Sequence, residues 1–135
     1  MRGRIYNNFY TPELWEQVNK ENKRIIDDFL AEYKQRKKSK GTIDGYFNDL
    51  RIIMIYILKE LDNRCVLELN KKDFRGLSLY FTEECGMSPA RTNRLKSAIN
   101  SLLTFCEEDD DYEYEINMAK KVKGIPRERV KDNED

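Results

Sequence analysis

Two short stretches carry the side chains and backbone freedom suited to holding a phosphate. One is Ser39-Lys40-Gly41-Thr42-Ile43-Asp44-Gly45-Tyr46, and the other is Ser88-Pro89-Ala90-Arg91-Thr92-Asn93-Arg94-Leu95-Lys96. Each offers a hydroxyl that can cap a helix, backbone N–H groups behind it and basic side chains nearby. A helix N-terminus binds anions because its first N–H groups lack partners and the helix dipole is positive there. Gly41 and Gly45 let a ligand come close to the backbone of the first start. That start follows a basic run, with five of the seven residues from Lys34 to Lys40 being Lys or Arg. Lys38 and Lys40 flank the capping Ser39. A solvated, charged loop has the same composition, so the residue types alone do not choose between the two.

Other chemistry is poorly supplied. The chain has no histidine, which removes the imidazole base, the Ser-His triad and the His-ligated metal. Cys65, Cys85 and Cys106 are odd in number and widely spaced, with no CxxC pair, so free thiols in a reducing cytoplasm are expected rather than a zinc site or disulfides. Asp27-Asp28 and Glu83-Glu84 fall on outer helix positions and are expected to be solvated. The acidic run Glu107 to Asp111 lacks the interleaved ligands and sharp glycine turn of a calcium loop. Neither GxGxxG nor GxxxxGK occurs. No catalytic residue, metal or cofactor is expected. No stretch of 18 apolar residues is present, so no membrane span is expected, and the first ten residues lack the apolar region of a signal peptide.

The 135 residues suit one domain, which at this size buries roughly two-thirds of its unfolded surface. Net charge is zero, but it is unevenly spread. Residues 1–106 hold 19 basic and 14 acidic side chains, a net +5, while residues 107–135 hold 6 and 11, a net −5. An acidic tail therefore masks a basic body, which is the part to compare with nucleic-acid binders.

The elements that must position these groups read as helices throughout. Thr11 caps, Pro12 takes the first helical position and Glu13 meets the positive end. The apolar spacing then runs to about Gln35, with the weak helix formers Asn19 and Asn22 marking a break. From Thr42 to Leu61 the apolar stripe is broadened by Ile52, Ile55 and Tyr56, which predicts a central helix. Cys65 to Leu69 reads as a short extended connector. Asn70 to Asp73 resembles a capping box opening a helix to about Glu84, with Gly86 as its terminating glycine. Ser88-Pro89 opens the last long helix, whose core stripe is Leu95, Ala98, Ile99, Leu102, Leu103 and Cys106. That helix is expected to stop before the acidic run, because its end is negative. A short helix is expected around Asn117 to Lys123. The predicted class is all-α, a compact four- to five-helix orthogonal bundle.

At 100° per residue, Asn93 and Ser97 point away from that core stripe, Arg94 and Lys96 flank it, and Arg91 lies nearer the core edge, where its stem can snorkel outward. A groove-reading helix carries such a face, and so does an ordinary amphipathic helix.

Three segments together carry a resemblance. SKGTIDGYFNDLRIIM, VLELNKKDF and SPARTNRLKSAINSLLTF, in that order and spacing, resemble the N-terminal core-binding domain of tyrosine recombinases, the phage integrase SAM-like domain. Asn117-Met118-Ala119 with Lys120-Lys121-Val122-Lys123-Gly124 resembles that family's linker, with Met118 where the family has proline. The resemblance spans about Leu14 to Pro126. It implies a helical domain that clamps one face of double-stranded DNA at a recombination core site of a mobile element. By position it puts Thr42 and Tyr46 at phosphates, Arg91, Asn93, Arg94 and Ser97 along the DNA face, and Lys120, Lys121 and Lys123 along the backbone in the linker. It also implies a catalytic domain downstream, with its arginines, histidines and tyrosine nucleophile, so these residues are not expected to cleave DNA by themselves.

The expected organisation is an N-terminal arm over residues 1–10, the core-binding helical domain over 11–116 and a linker over 117–135. The expected function is DNA binding within a site-specific recombinase or integrase of a prokaryotic cytoplasm. Its partners would be double-stranded DNA and other recombinase protomers, and the isolated chain would be monomeric. The competing class is a helical protein–protein interaction module without DNA binding.

Overall fold

A computed structural model of the chain describes residues 9–121. It contains five α-helices: α1 Pro12–Gln17, α2 Lys20–Gln35, α3 Lys40–Glu60, α4 Lys71–Leu79 and α5 Pro89–Glu108. A π-helical turn, Tyr80–Glu84, continues α4, and short 3-10 turns cover Val66–Glu68 and Met118–Lys121. Among the described residues there is no strand. The fold is an all-α bundle.

The centre of the bundle is α3. Five consecutive residues, Ile53 to Ile57, are buried, so side chains on every side of the helix lack water. It packs on α2 through Ile25, Ile26 and Phe29, and on α5 through Leu95, Ile99, Leu102 and Leu103. α4 packs on α5 and on the final 3-10 turn. The described end of the N-terminal arm joins this core: Phe9 is buried, and Tyr10 lies 4.0 Å beneath the Arg51 guanidinium.

The expected break falls at Asn19, which caps α2 by accepting the Asn22 N–H at 2.7 Å. The same side chain donates to the Asn63 carbonyl at 2.7 Å, while Asn63 donates from Nδ2 to the Gln17 carbonyl at 3.0 Å. Asp62 and Asn63 are both left-handed, with φ of 59° and 55°, which the short polar side chain of Asn tolerates. Asn22 is wholly buried; it donates to the Arg64 carbonyl at 3.0 Å and accepts the Val66 N–H at 2.8 Å. Three asparagines thus tie the α1–α2 junction to the end of α3. Cys65–Leu69 is not extended as expected. It forms one 3-10 turn, with Glu68 donating to the Cys65 carbonyl at 2.9 Å and Val66 buried.

The start of α4 is a full capping box between Asn70 and Asp73, and Gly86 takes φ 70° after the π turn. Pro89 opens α5 behind the Ser88 cap. α5 does not stop before the acidic run but continues through Glu108. The reason is local. Glu107 accepts the Asn117 N–H at 3.2 Å and faces the Lys120 amine at 3.9 Å, which offsets its charge at the negative helix end. Asn117 is buried; it donates to the Asn100 carbonyl and accepts from the backbone of Ala119 and Lys120. The described part of the segment expected as a linker, up to Lys121, therefore lies against α5 and α4.

Two stability predictions follow from this packing. Asn22→Ala strands the buried Val66 N–H and leaves the Arg64 carbonyl with Asn19 Nδ2 alone, at 3.3 Å, so it lowers the unfolding free energy by roughly 2 kcal/mol in urea titration, and a loss below about 1 kcal/mol would contradict the tie. Burial, helped by the Glu60 and Asp73 carboxylates, pushes the Tyr56 phenol up to about 12, and burial pushes the Tyr80 phenol and the Cys106 thiol up to about 12. In the unfolded chain these groups ionise near their ordinary values, so above them the unfolded state holds fewer protons than the native one. Stability is full below about pH 8 and falls as pH rises toward about 12; equal urea midpoints at about pH 7 and pH 10.5 would contradict this.

Candidate nucleic-acid interface

The α2–α3 loop sets up the first helix start. Lys37 is left-handed at φ 60°, and the Lys38 N–H turns back to the Tyr33 carbonyl at 3.1 Å. Ser39 then caps α3, accepting the Thr42 N–H at 3.1 Å and donating to Thr42 Oγ1 at 3.0 Å. Of the five cations from Lys34 to Lys40, two have anionic partners. Arg36 pairs with Glu32 at 2.7 Å, and Lys40 pairs with Asp44 at 2.8 Å in an exposed i,i+4 contact. Lys34, Lys37 and Lys38 have no ion pair among the described residues. Lys34, Lys38 and Lys40 line a shallow depression of about 390 Å³ with Ile43 and Asp44.

The two glycines of this start are not required by packing. A Cβ on Gly45 would meet nothing within 4 Å, and one on Gly41 would meet only Ser39 Oγ at 3.9 Å. Glycine inside a helix costs about 1 kcal/mol relative to alanine. The fold itself therefore gives no return for Gly45.

The second start is joined to the first. Ser88 caps α5 by accepting the Arg91 N–H at 3.1 Å. α3 crosses α5 with the Tyr46 and Ser101 hydroxyls 3.3 Å apart and the Arg91 guanidinium 2.9 Å from the Asp49 carboxylate. Thr42, Gly45, Tyr46 and Asp49 share one side of α3 at 100° per residue, and Arg94, Ser97 and Ser101 share one side of α5. The contacts make these sides neighbours.

The sequence-predicted residues fall into three groups. Lys38, Lys40, Thr42, Arg94 and Ser97 are exposed, and Arg94 has no ion-pair partner among the described residues. Tyr46, Arg91 and Asn93 are half-buried. Tyr46 stacks edge-on against Phe29 and Tyr33 with centroids 5.3 and 5.1 Å away. Arg91 does not extend outward but folds onto Asp49, with 18% of its side chain exposed. Lys120 faces Glu107. Lys121 ends the last 3-10 turn, its side chain undescribed, and Lys123 lies outside the described residues.

Several partners were not singled out by sequence. Asp49 looks like any helix acid, Ser101 like a core-edge serine seven residues after Arg94, and Lys96 like a plain flank. Burial lowers the pKa of the Lys96 amine from its ordinary value. Asp28, expected to be solvated, accepts from the Tyr112 hydroxyl and faces Arg24.

A second concavity runs between α2 and α5. It has a volume of about 660 Å³, an aromatic floor of Phe29, Tyr33 and Phe105, and a rim bearing Glu32, Glu108, Asp109 and Asp110 against Arg36 and Lys120. Its carboxylates outnumber its cations, which disfavours phosphate. Among the described residues no group of three or more His, Cys, Asp or Glu is arranged to hold a metal ion, and no helix is long and apolar enough to cross a membrane.

Over 122 residues the chain is 27% identical to the SPbeta prophage-derived recombinase-like protein YomM of Bacillus subtilis (strain 168). That similarity connects the chain to a recombinase-like protein. The alignment covers 87% of this chain and 35% of YomM, so the chain spans about a third of the length of this curated relative. No family profile matches the chain, and no solved structure matches it.

Proposed function

We propose that this chain is a DNA-binding domain of a site-specific recombinase of the tyrosine recombinase type, and that the starts of α3 and α5 seat the phosphates of duplex DNA. The observation that carries this reading is Gly45. It stands in a cation-flanked helix start, costs the helix stability, and has open space where its side chain would be. Close approach by an external backbone explains such a glycine. Lys38 and Lys40 supply exposed positive charge near it, Thr42 a hydroxyl, and Arg94 with Ser97 an outward polar edge that can enter a groove. Tyr46 and Arg91 stand behind this surface and hold α3 to α5. The recombinase-like relative supports the recombinase part of this reading. Strand cleavage, on this reading, belongs to residues outside this chain.

The competing reading is a protein-interaction module, favoured by the acid-rimmed concavity between α2 and α5. On that reading, light scattering shows an oligomer or a partner complex that charge reversal at Lys38, Lys40 and Arg94 leaves intact.

Fluorescence anisotropy with a labelled duplex tests the DNA reading. About four phosphate contacts give log K against log salt a slope of roughly −3 to −4. Affinity should be weak, because a clamp with one jaw lacks the avidity of two. Gly45→Ala should raise the unfolding free energy by about 0.5–1 kcal/mol and yet weaken binding. Arg94→Ala should weaken binding with the melting temperature unchanged to within about 2 °C. Absence of salt-dependent binding at about 50 mM salt, or a Gly45→Ala protein that binds as well as the original, would overturn the proposal.

A further inference from the structure

The Arg91–Asp49 pair differs from the other ion pairs near this surface. Lys40–Asp44 and Arg36–Glu32 are i,i+4 contacts within one helix, and every side chain in them is at least 39% exposed. Arg91 and Asp49 join two helices and are only 18% and 13% exposed, at 2.9 Å. Charges so placed are screened little by salt and attract each other more strongly than surface pairs do. One guanidinium nitrogen, Arg91 Nη1, is buried and has no hydrogen-bond partner. The pair therefore leaves part of the donor capacity of Arg91 unused.

The location of the pair gives it a consequence. Arg91 sits in the first turn of α5, where the helix end is positive and a cation is unfavourable. No acidic residue occupies that turn. Asp49, reaching across from α3, supplies the anion that the turn lacks. It occupies, from inside the protein, the role that a phosphate would fill from outside.

We infer that Asp49 is an affinity-limiting residue of the proposed DNA surface, an internal stand-in for phosphate that cancels the charge of Arg91 and holds down the affinity of the α5 start for any polyanion. This rests on the DNA reading above. With Asp49 in place, Arg94 and the α3 start carry the contacts, and Arg91 adds none. With Asp49 neutral, Arg91 at the positive end of α5 becomes a further phosphate seat. Arg91 has a stem long enough to turn outward once released.

The test uses a labelled 20-bp duplex of arbitrary sequence, the full chain and three variants. Asp49→Asn keeps the shape and an acceptor oxygen but removes the charge. Its affinity at low salt should rise about fivefold, and its salt slope should steepen by about 0.9, one further phosphate. Asp49→Asn combined with Arg91→Met restores the original neutrality at this turn and should bind within about twofold of the original, whereas Arg91→Met alone leaves the Asp49 charge uncompensated and should bind more weakly than the double variant. Asp49→Asn binding equally or more weakly while melting normally would overturn the inference. So would a loss above about fivefold in the double variant, which is as neutral as the original and would make Arg91 a direct contact positioned by Asp49; this variant decides alone if Asp49→Asn does not fold. If neither the original chain nor Asp49→Asn binds duplex, the proposed function itself fails. If the original binds and Asp49→Asn gains nothing, only the role of Asp49 fails.

Discussion

The side chains from Ile53 to Ile57 are removed from water on all sides of α3, and this constraint shapes the rest of the structure. A helix buried on one stripe needs one neighbour, whereas a helix buried through five consecutive residues must be surrounded. α2 and α5 cover most of it, and α1 adds a further side. Once the second half of α3 is fixed in this way, its first half has to emerge from the core beside α5. Tyr46 then meets Ser101 and Asp49 meets Arg91. The burial of one half of α3 therefore determines which polar side chains the other half presents together.

Charge follows the same logic. The chain is neutral overall, yet its acids and bases are not mixed evenly. The chain after α5 folds back: Asn117 and Lys120 engage Glu107 in the last turn of α5, and Tyr112 reaches Asp28. Glu108, Asp109 and Asp110 join Glu32 at the rim of the α2–α5 concavity. Lys34 in the last turn of α2 and Lys37 and Lys38 in the α2–α3 loop are left without ion pairs among the described residues. Neutrality in sum thus coexists with a positive edge and a negative groove, which is the arrangement that positions a polyanion on one side and repels it from the other.

Local chemistry was legible in the sequence wherever a residue acts on its own neighbours. Thr11-Pro12, Ser88-Pro89 and the Asn70–Asp73 box are capping devices that work within three or four residues, and each appears where expected. The all-α class and the central place of α3 follow from apolar spacing, which is equally local. Contacts across 42 or more residues were not legible. Asn22 was read as a weak helix former because nothing nearby shows that it will close a 3-10 turn at Val66. The extended reading of Cys65–Leu69 failed for the same reason. The expected stop before Glu107 followed the helix dipole alone, and the reach of Asn117 and Lys120 to that carboxylate outweighed it. In the candidate surface, the basic loop and the two helix starts were visible as composition, while Asp49 was invisible because its significance lies entirely in facing Arg91.

The central claim is that the joined starts of α3 and α5 form the surface that meets DNA. Amide NMR of the isotope-labelled chain titrated with an unlabelled duplex at low salt tests it directly, residue by residue. The account predicts that the perturbed amides cluster over residues 38–46 and 91–97. Perturbations confined to α1, α4 or the acid-rimmed concavity between α2 and α5, with the two helix starts unmoved, would contradict it.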